Sequence, residues 1–212
     1  QLTAFETMQN VYSKTDNVAF IVSPKDGNVF KPDTLAAIYE LTELSWQIPF
    51  STRVDSLTNF QHTWSEEDDL IVEDLVLDPT TISTEDMPRI KEVAISEPML
   101  LNKLVSPSGH VTVVNVTVQL PGENPIVEIP QAVSKVREIK DNFIAAHPDL
   151  EVRLSGMVMM NNSFSEAAMN DQTTLVPLMF LIVIVGMIIL LRTISGTIAT
   201  VVIILFSILS TL

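Results

Sequence analysis

Residues 175–191, LVPLMFLIVIVGMIILL, form an unbroken run of 17 residues with no charge and no side-chain amide. At 1.5 Å per residue, with the flanking Thr173, Thr174 and Thr193 counted, a helix over this run spans a hydrocarbon core of about 30 Å. The prediction is a transmembrane helix over 174–192. After Arg192-Thr-Ile-Ser-Gly196 a second uncharged run, Thr197 to Leu212, is still apolar where the sequence stops. It reads as a second transmembrane helix over 197–212, cut short.

Charge is segregated just as sharply. Eleven of the twelve Lys and Arg residues and all 26 Asp and Glu residues lie at or before Asp171, so this part carries a net charge of −15 and Arg192 is the only charge after it. A lone Arg in a loop of about five residues between two helices favours the cytoplasmic side, which puts the acidic part outside. Asp171, just before the apolar run, reads as a helix-border acid at the interface. Arg192 reads as a topological anchor that snorkels to the headgroups.

An overall charge of −14 repels phosphate backbones and argues against a nucleic-acid partner. The absence of cysteine excludes disulfides, thiolate catalysis and Cys-ligated zinc. The first residue is not Met, and the first twenty contain neither a basic nor an apolar leader segment. The expectation is a piece of a larger membrane protein.

Before the membrane run, strands and helices alternate. Asn17 to Val22 reads as a strand closed by the turn Ser23 to Gly27. Pro32 then opens a helix whose Leu35, Ile38, Leu41, Leu44 and Ile48 share one face, and Pro49 ends it. Arg53 to Phe60 and Asp69 to Val76 are predicted strands, paired as a hairpin across a polar loop, Gln61 to Asp68. Pro88 and Pro98 divide Ser83 to Val105 into two short predicted helices. His110 to Leu120 alternates as a strand, Ile129 to Ala146 is helical, Glu151 to Ser155 is again a strand, and Asn161 to Asp171 reads as a connector helix. This order predicts an α+β domain, a two-layer split-βαβ (ferredoxin-like) sandwich with helices on one sheet face.

Three stretches together resemble the RND (resistance-nodulation-division) superfamily, in its MMPL-type or predicted-exporter branch. They are IPFSTRVDSLTNFQHTWSEEDDLIVEDLV (Ile48 to Val76), then VTVVNVTVQLPGENP with VSKVREIKDNF and HPDLEVRLSG, and finally Asp171 entering a membrane helix that ends LLRTISG. The resemblance covers nearly the whole chain. It implies an extracytoplasmic porter domain over 1–158, a connector over 159–173, and the second and third membrane helices over 174–192 and 197–212. It further implies an exporter of lipids or other hydrophobic compounds driven by the proton-motive force, in a bacterial inner membrane with residues 1–172 in the periplasm. The implied partners are the missing helices and second porter domain of the same transporter, the lipid bilayer and a hydrophobic or lipid cargo, with a homo-oligomer left open. The family's coupling acids lie in a fourth membrane helix, outside this sequence.

The motifs predict no enzyme, no cofactor and no metal. Glu66-Glu67-Asp68-Asp69 lacks the spacing and glycine of a calcium loop and reads as a solvated acidic loop. His62, His110 and His147 have no partner at metal-ligand spacing. Ser106-Pro-Ser-Gly-His110 has the composition of a turn, and neither a G-x-S-x-G elbow nor a P-loop is present. Trp64 is the candidate substrate contact. The rival reading is a membrane-tethered extracytoplasmic sensor or ligand-binding module, which predicts a cytoplasmic signalling domain downstream.

Overall fold

The computed structural model describes residues 16–66, 69–79, 81–192 and 194–210. It is a mixed α/β structure and divides into two compact units, Gln1–Asn162 and Ser163–Leu212. Glu67 and Asp68 of the acidic loop, and Thr211 and Leu212 at the end of the second apolar run, lie outside the described residues.

In the first unit, β1 (Asp16–Pro24), β2 (Ser51–Asp55), β5 (Thr112–Val118) and β6 (Leu150–Ser155) form an antiparallel sheet of order β2-β5-β1-β6. Helix α1 (Pro32–Ser45) connects β1 to β2, and α3 (Pro125–Ala146) connects β5 to β6. Strict alternation in β1 and β5 sends Val18, Phe20, Val22, Val114, Val116 and Val118 to one face, where each is fully buried. The same core takes Leu35, Ile38 and Leu41 from α1 and Val133, Val136, Ile139 and Phe143 from α3. Full burial of a side chain such as Phe20 contributes about 1.5–3 kcal/mol. The opposite sheet face is half-exposed and partly polar: Asn17 Nδ2 donates to Asn115 Oδ1 at 2.9 Å across β1 and β5.

Both helices start at a proline, whose missing N–H costs nothing in a first turn. No side chain of the N-cap residue Asn124 caps α3. Its place is taken by Glu128, 7% exposed, whose Oε1 accepts the Asn124 N–H at 2.8 Å and whose Oε2 accepts the Gly122 N–H at 2.9 Å.

The first strand, the first helix, the His110 to Leu120 strand and the last helix and strand stand where the periodicity put them. Three expectations between them are corrected. The strand expected over Arg53 to Phe60 ends at Asp55, because Asn59 folds Ser56 to Asn59 into a turn: its Oδ1 accepts the Ser56 N–H and its Nδ2 donates to the Val54 carbonyl, both at 2.8 Å. The expected loop Gln61 to Asp68 is instead strand β3 over Gln61–Glu66. It pairs with β4 (Asp69–Asp74) in a separate two-stranded sheet, while β2 pairs with β5. The two helices expected over Ser83 to Val105 reduce to one. A 3-10 turn at Thr84–Asp86 leads into α2 (Met87–Ser96), and residues 97–105 are turns with Asn102 in the left-handed region at φ +62°.

Helix α4 (Met157–Leu191) starts one residue after Gly156, and α5 (Ile194–Leu209) follows. The residues expected as connector and first membrane span belong to the single helix α4. Its first turns bury Val158, Met159 and Asn162 in the first unit.

Candidate functional site

Trp64 lies on β3, where the two-residue period places it on the same face as His62. The two rings stack with centroids 5.4 Å apart and planes 22° from parallel. Across the hairpin His62 faces Glu73, and Trp64 faces Ile71. The hairpin is tied to the domain at its base: the Leu75 N–H donates to the Phe60 carbonyl at 2.8 Å, and the Val76 N–H to the Thr58 carbonyl at 3.1 Å. Thr58 in turn reaches Ser56 Oγ at 2.9 Å and Thr42 Oγ1 of α1 at 3.4 Å, so a buried hydroxyl cluster fixes the root of the hairpin on the domain.

The hairpin forms one wall of a cavity of about 230 Å³. Opposite stand Thr81, Ile82, Asp86, Arg89 and Ile90, from the turn before α2 and from its first turns. Leu75, Val76 and Ile90, each nearly fully buried, also border it. Among the residues that border it are Glu73, Asp74, Asp78, Asp86 and Arg89.

Asp86 is the best-defined of these acids. It accepts the Ser83 N–H and the Ser83 hydroxyl, both at 2.9 Å, while Ser83 Oγ accepts the Glu85 N–H at 3.2 Å in a capping box. Hydrogen bonds from the Ser83 backbone and then its side chain, aided by the charge of Arg89, hold the Asp86 carboxyl below its ordinary value of 3.8. It is a fixed negative charge at neutral pH.

The remaining candidates lie apart from this cavity. Ser106 Oγ is 3.0 Å from His110 Nδ1, but the same oxygen accepts the N–H groups of His110 and Val111, and Ser108 contacts the same ring nitrogen. The group clips a turn closed by Gly109 at φ +71°. His147 caps the end of α3 and pairs with Glu40 of α1 at 3.0 Å. Among the described residues no group of three His, Cys, Asp or Glu side chains is close enough to hold a metal ion.

In the second unit, Asp171 is an exposed residue of α4, one turn before Leu175. Arg192 follows the helix in the left-handed region at φ +51°, and its N–H donates to the Ile188 carbonyl at 3.0 Å, an αL cap. Between them Pro177 removes one helical donor, and Thr173 Oγ1 donates to the Met169 and Asn170 carbonyls at 3.1 Å. Leu175, Leu178, Leu181, Ile182 and Ile189 are each more than half exposed. A core helix of a soluble protein hides such residues; this one leaves them exposed. Among the described residues one helix, Met157–Leu190, is long and apolar enough to cross a membrane.

Sequence reasoning singled out Trp64 but not its surroundings. Asp86, Arg89 and Ile90 come from more than twenty residues further on, and no local pattern connects them to β3. The signal for β3 itself was present in the alternation of His62 and Trp64 with Gln61, Thr63 and Ser65.

A mixed α/β unit and a helix with an exposed, uncharged apolar stretch of membrane length, one chain holding both, define a membrane protein with a substantial polar domain. The chain matches the MMPL family over residues 2–212 and belongs to that family, as a segment related to membrane transporters. No curated protein matches it.

Proposed function

We propose that the chain supplies the first porter domain and the second and third membrane helices of an exporter that uses the proton-motive force to move lipids or other hydrophobic compounds. Membership of the MMPL family over residues 2–212 is the observation that carries this reading. Residues 1–158 are the porter domain, 159–173 the connector, and 174–192 and 197–212 the membrane helices. The sheet order β2-β5-β1-β6, with a helix crossing from β1 to β2 and another from β5 to β6, supports a ferredoxin-like split-βαβ sandwich for the porter domain.

The lone Arg192 supports a periplasmic placement of residues 1–172 at a bacterial inner membrane. Asp171 and Arg192 then mark the two borders of the first span, and Trp64 contacts cargo in the cavity beside the hairpin. The partners are the remainder of the same transporter, the bilayer and the cargo. The work is movement of cargo and not bond chemistry.

The test uses the complete transporter that contains this segment, reconstituted in liposomes with a fluorescent phospholipid analogue in the bilayer. An imposed proton gradient is expected to drive analogue across the membrane or out to an acceptor, and a protonophore to stop it. Movement at the same rate with and without the gradient removes the proton-driven reading.

A further inference from the structure

The β3–β4 hairpin is unfinished as a sheet. It has two strands, and among the described residues no third strand pairs with either edge. A ribbon of this kind is marginal in water by itself. We infer that the outer edge of β4 takes a third strand from a partner protein, an extended basic segment in which lysine or arginine alternates with apolar residues.

The register names the free groups. The bond from the Leu75 N–H to the Phe60 carbonyl makes these two a hydrogen-bonded pair, and Asp74 stands opposite Gln61 one step along the ladder. Bonded and non-bonded pairs alternate in an antiparallel ribbon. The inward groups of β4 therefore belong to Glu73 and Ile71, and the N–H and C=O groups of Leu70, Val72 and Asp74 point outward. An open row of donors and acceptors is a template for another strand.

The side chains of β4 select which strand. Leu70 and Val72 are 71% and 50% exposed, on the hairpin face away from Trp64. Apolar residues of an incoming strand would lie beside them on that face, as cross-strand pairs do. Its alternate residues would lie on the other face, beside Asp69 and Glu73, where lysine or arginine meets opposite charge. The edge of β3 offers no such match, because Gln61, Thr63 and Ser65 are neither apolar nor charged.

Charge also decides between occupants. Residues 54–88 contain ten acidic residues and no Lys or Arg, so they carry ten of the chain's fourteen net negative charges. A second copy would bring the same acids to the same edge, and like charges side by side are destabilising. An anionic bilayer surface is repelled for the same reason. A basic strand is drawn in by the field and then held by the ladder.

The probe is a fluorescein-labelled octapeptide alternating lysine and valine, added at fixed ionic strength to the complete protein that contains this segment, in dodecyl maltoside. Its anisotropy is expected to rise saturably, and hydrogen exchange across residues 69–74 is expected to slow in the complex. The pair Leu70→Thr and Val72→Thr keeps β-forming side chains but removes the apolar match, and should weaken binding about tenfold. Val72→Pro deletes an outward donor without removing a rung of the existing hairpin, and should act in the same sense. A control peptide with its lysines in one block and its valines in another carries equal charge without the alternation. Equal binding of that control reduces the interaction to charge and overturns the inference. Unchanged exchange across 69–74 in the parent, a reading that needs no variant to fold, also overturns it. So does a lack of binding to the complete protein, which would mean that a second copy or the rest of that protein already covers the edge.

Discussion

Asn17 Oδ1 accepts the backbone N–H of Met157 at 3.1 Å, so a side chain of the first strand satisfies the first turn of the long helix 140 residues later. The same side chain donates to Asn115 Oδ1 at 2.9 Å, which orients its amide. The start of α4 is thus defined by the middle of the sheet and not by a residue of its own segment, since Gly156 before it has no side chain to offer.

Replacement of Asn17 by Ala is expected to destabilise the chain by about 0.5–2 kcal/mol, the usual cost of losing such a cap. Asn17→Asp keeps the acceptor for Met157 and loses the donor to Asn115, so it should fall between Ala and the parent. Urea unfolding followed by circular dichroism ranks the three. Equal midpoints for Ala and parent would show that water replaces the cap without loss.

Gly156 and Gly27 separate two costs that are often merged. Both have positive φ, +108° and +73°, where any side chain is strained. A Cβ at Gly27 meets nothing within 4 Å, whereas at Gly156 it would lie 2.4 Å from the Asn17 carbonyl oxygen and 2.9 Å from Val18 Cα, both backbone. Gly27→Ala is expected to cost about 1–2 kcal/mol from the backbone alone. Gly156→Ala is expected to exceed it by at least 2 kcal/mol, because β1 or the start of α4 must move. Side-by-side thermal melts of the two variants decide the order.

The Ser83 cap makes stability depend on acid in a defined direction. The folded carboxyl of Asp86 titrates below its ordinary 3.8, so the stabilisation is fully present above that value and is lost as pH falls through the lower folded value. Asp26 is lowered in the same sense by its contacts with Lys31 and the Asn28 N–H. Urea midpoints measured from pH 5 downwards should fall, and Ser83→Ala should flatten part of that fall while lowering the midpoint at pH 7. A Ser83→Ala profile parallel to that of the parent would assign the acid sensitivity elsewhere.

Arg192 combines a left-handed backbone with the only charge after Asp171. Arg192→Gly relieves the first and removes the second, so helix stability and membrane orientation should move in opposite senses. The chain has no cysteine, and a single Ser65→Cys on the exposed face of β3 therefore reports sidedness without background from this chain. Impermeant maleimide is expected to label it from outside in intact cells for the parent, and to label a smaller fraction for Arg192→Gly. Complete protection of Ser65→Cys in the parent would falsify the outward placement of the domain.

How much of this was legible in the sequence depended on burial. β1, β5, α1 and α3 bury one face completely, and a one-sided environment forces the two-residue or 3.6-residue pattern that reveals them. β3 belongs to a two-stranded sheet with no fully buried residue from Gln61 to Ser65, so in QHTWS only the weak alternation of His62 and Trp64 distinguishes a strand from a polar loop. The end of β2 was hidden for another reason: Phe60 and Leu57 prolong an apolar pattern across a turn that the side chain of Asn59 creates. Pro98 marked the end of α2 correctly, but nothing local forbade a further helix over residues that pack as turns against Leu100 and Val105. The cavity was illegible as a whole, because its two walls meet only through the tertiary anchoring of Leu75 and Val76.

Glu128 gives the chain an internal tenant where other proteins receive a guest. A glycine-containing turn running into a helix start, as Pro121-Gly-Glu-Asn-Pro125 does here, presents the kind of N–H groups that cradle phosphate. In this chain the N–H groups of Gly122 and Asn124 already serve a nine-tenths buried carboxylate of the same helix. An incoming phosphoryl group would have to evict a tethered anion whose local concentration no free ligand can match. The N–H groups at the start of α3 are therefore occupied from within, by a side chain of the helix's own first turn.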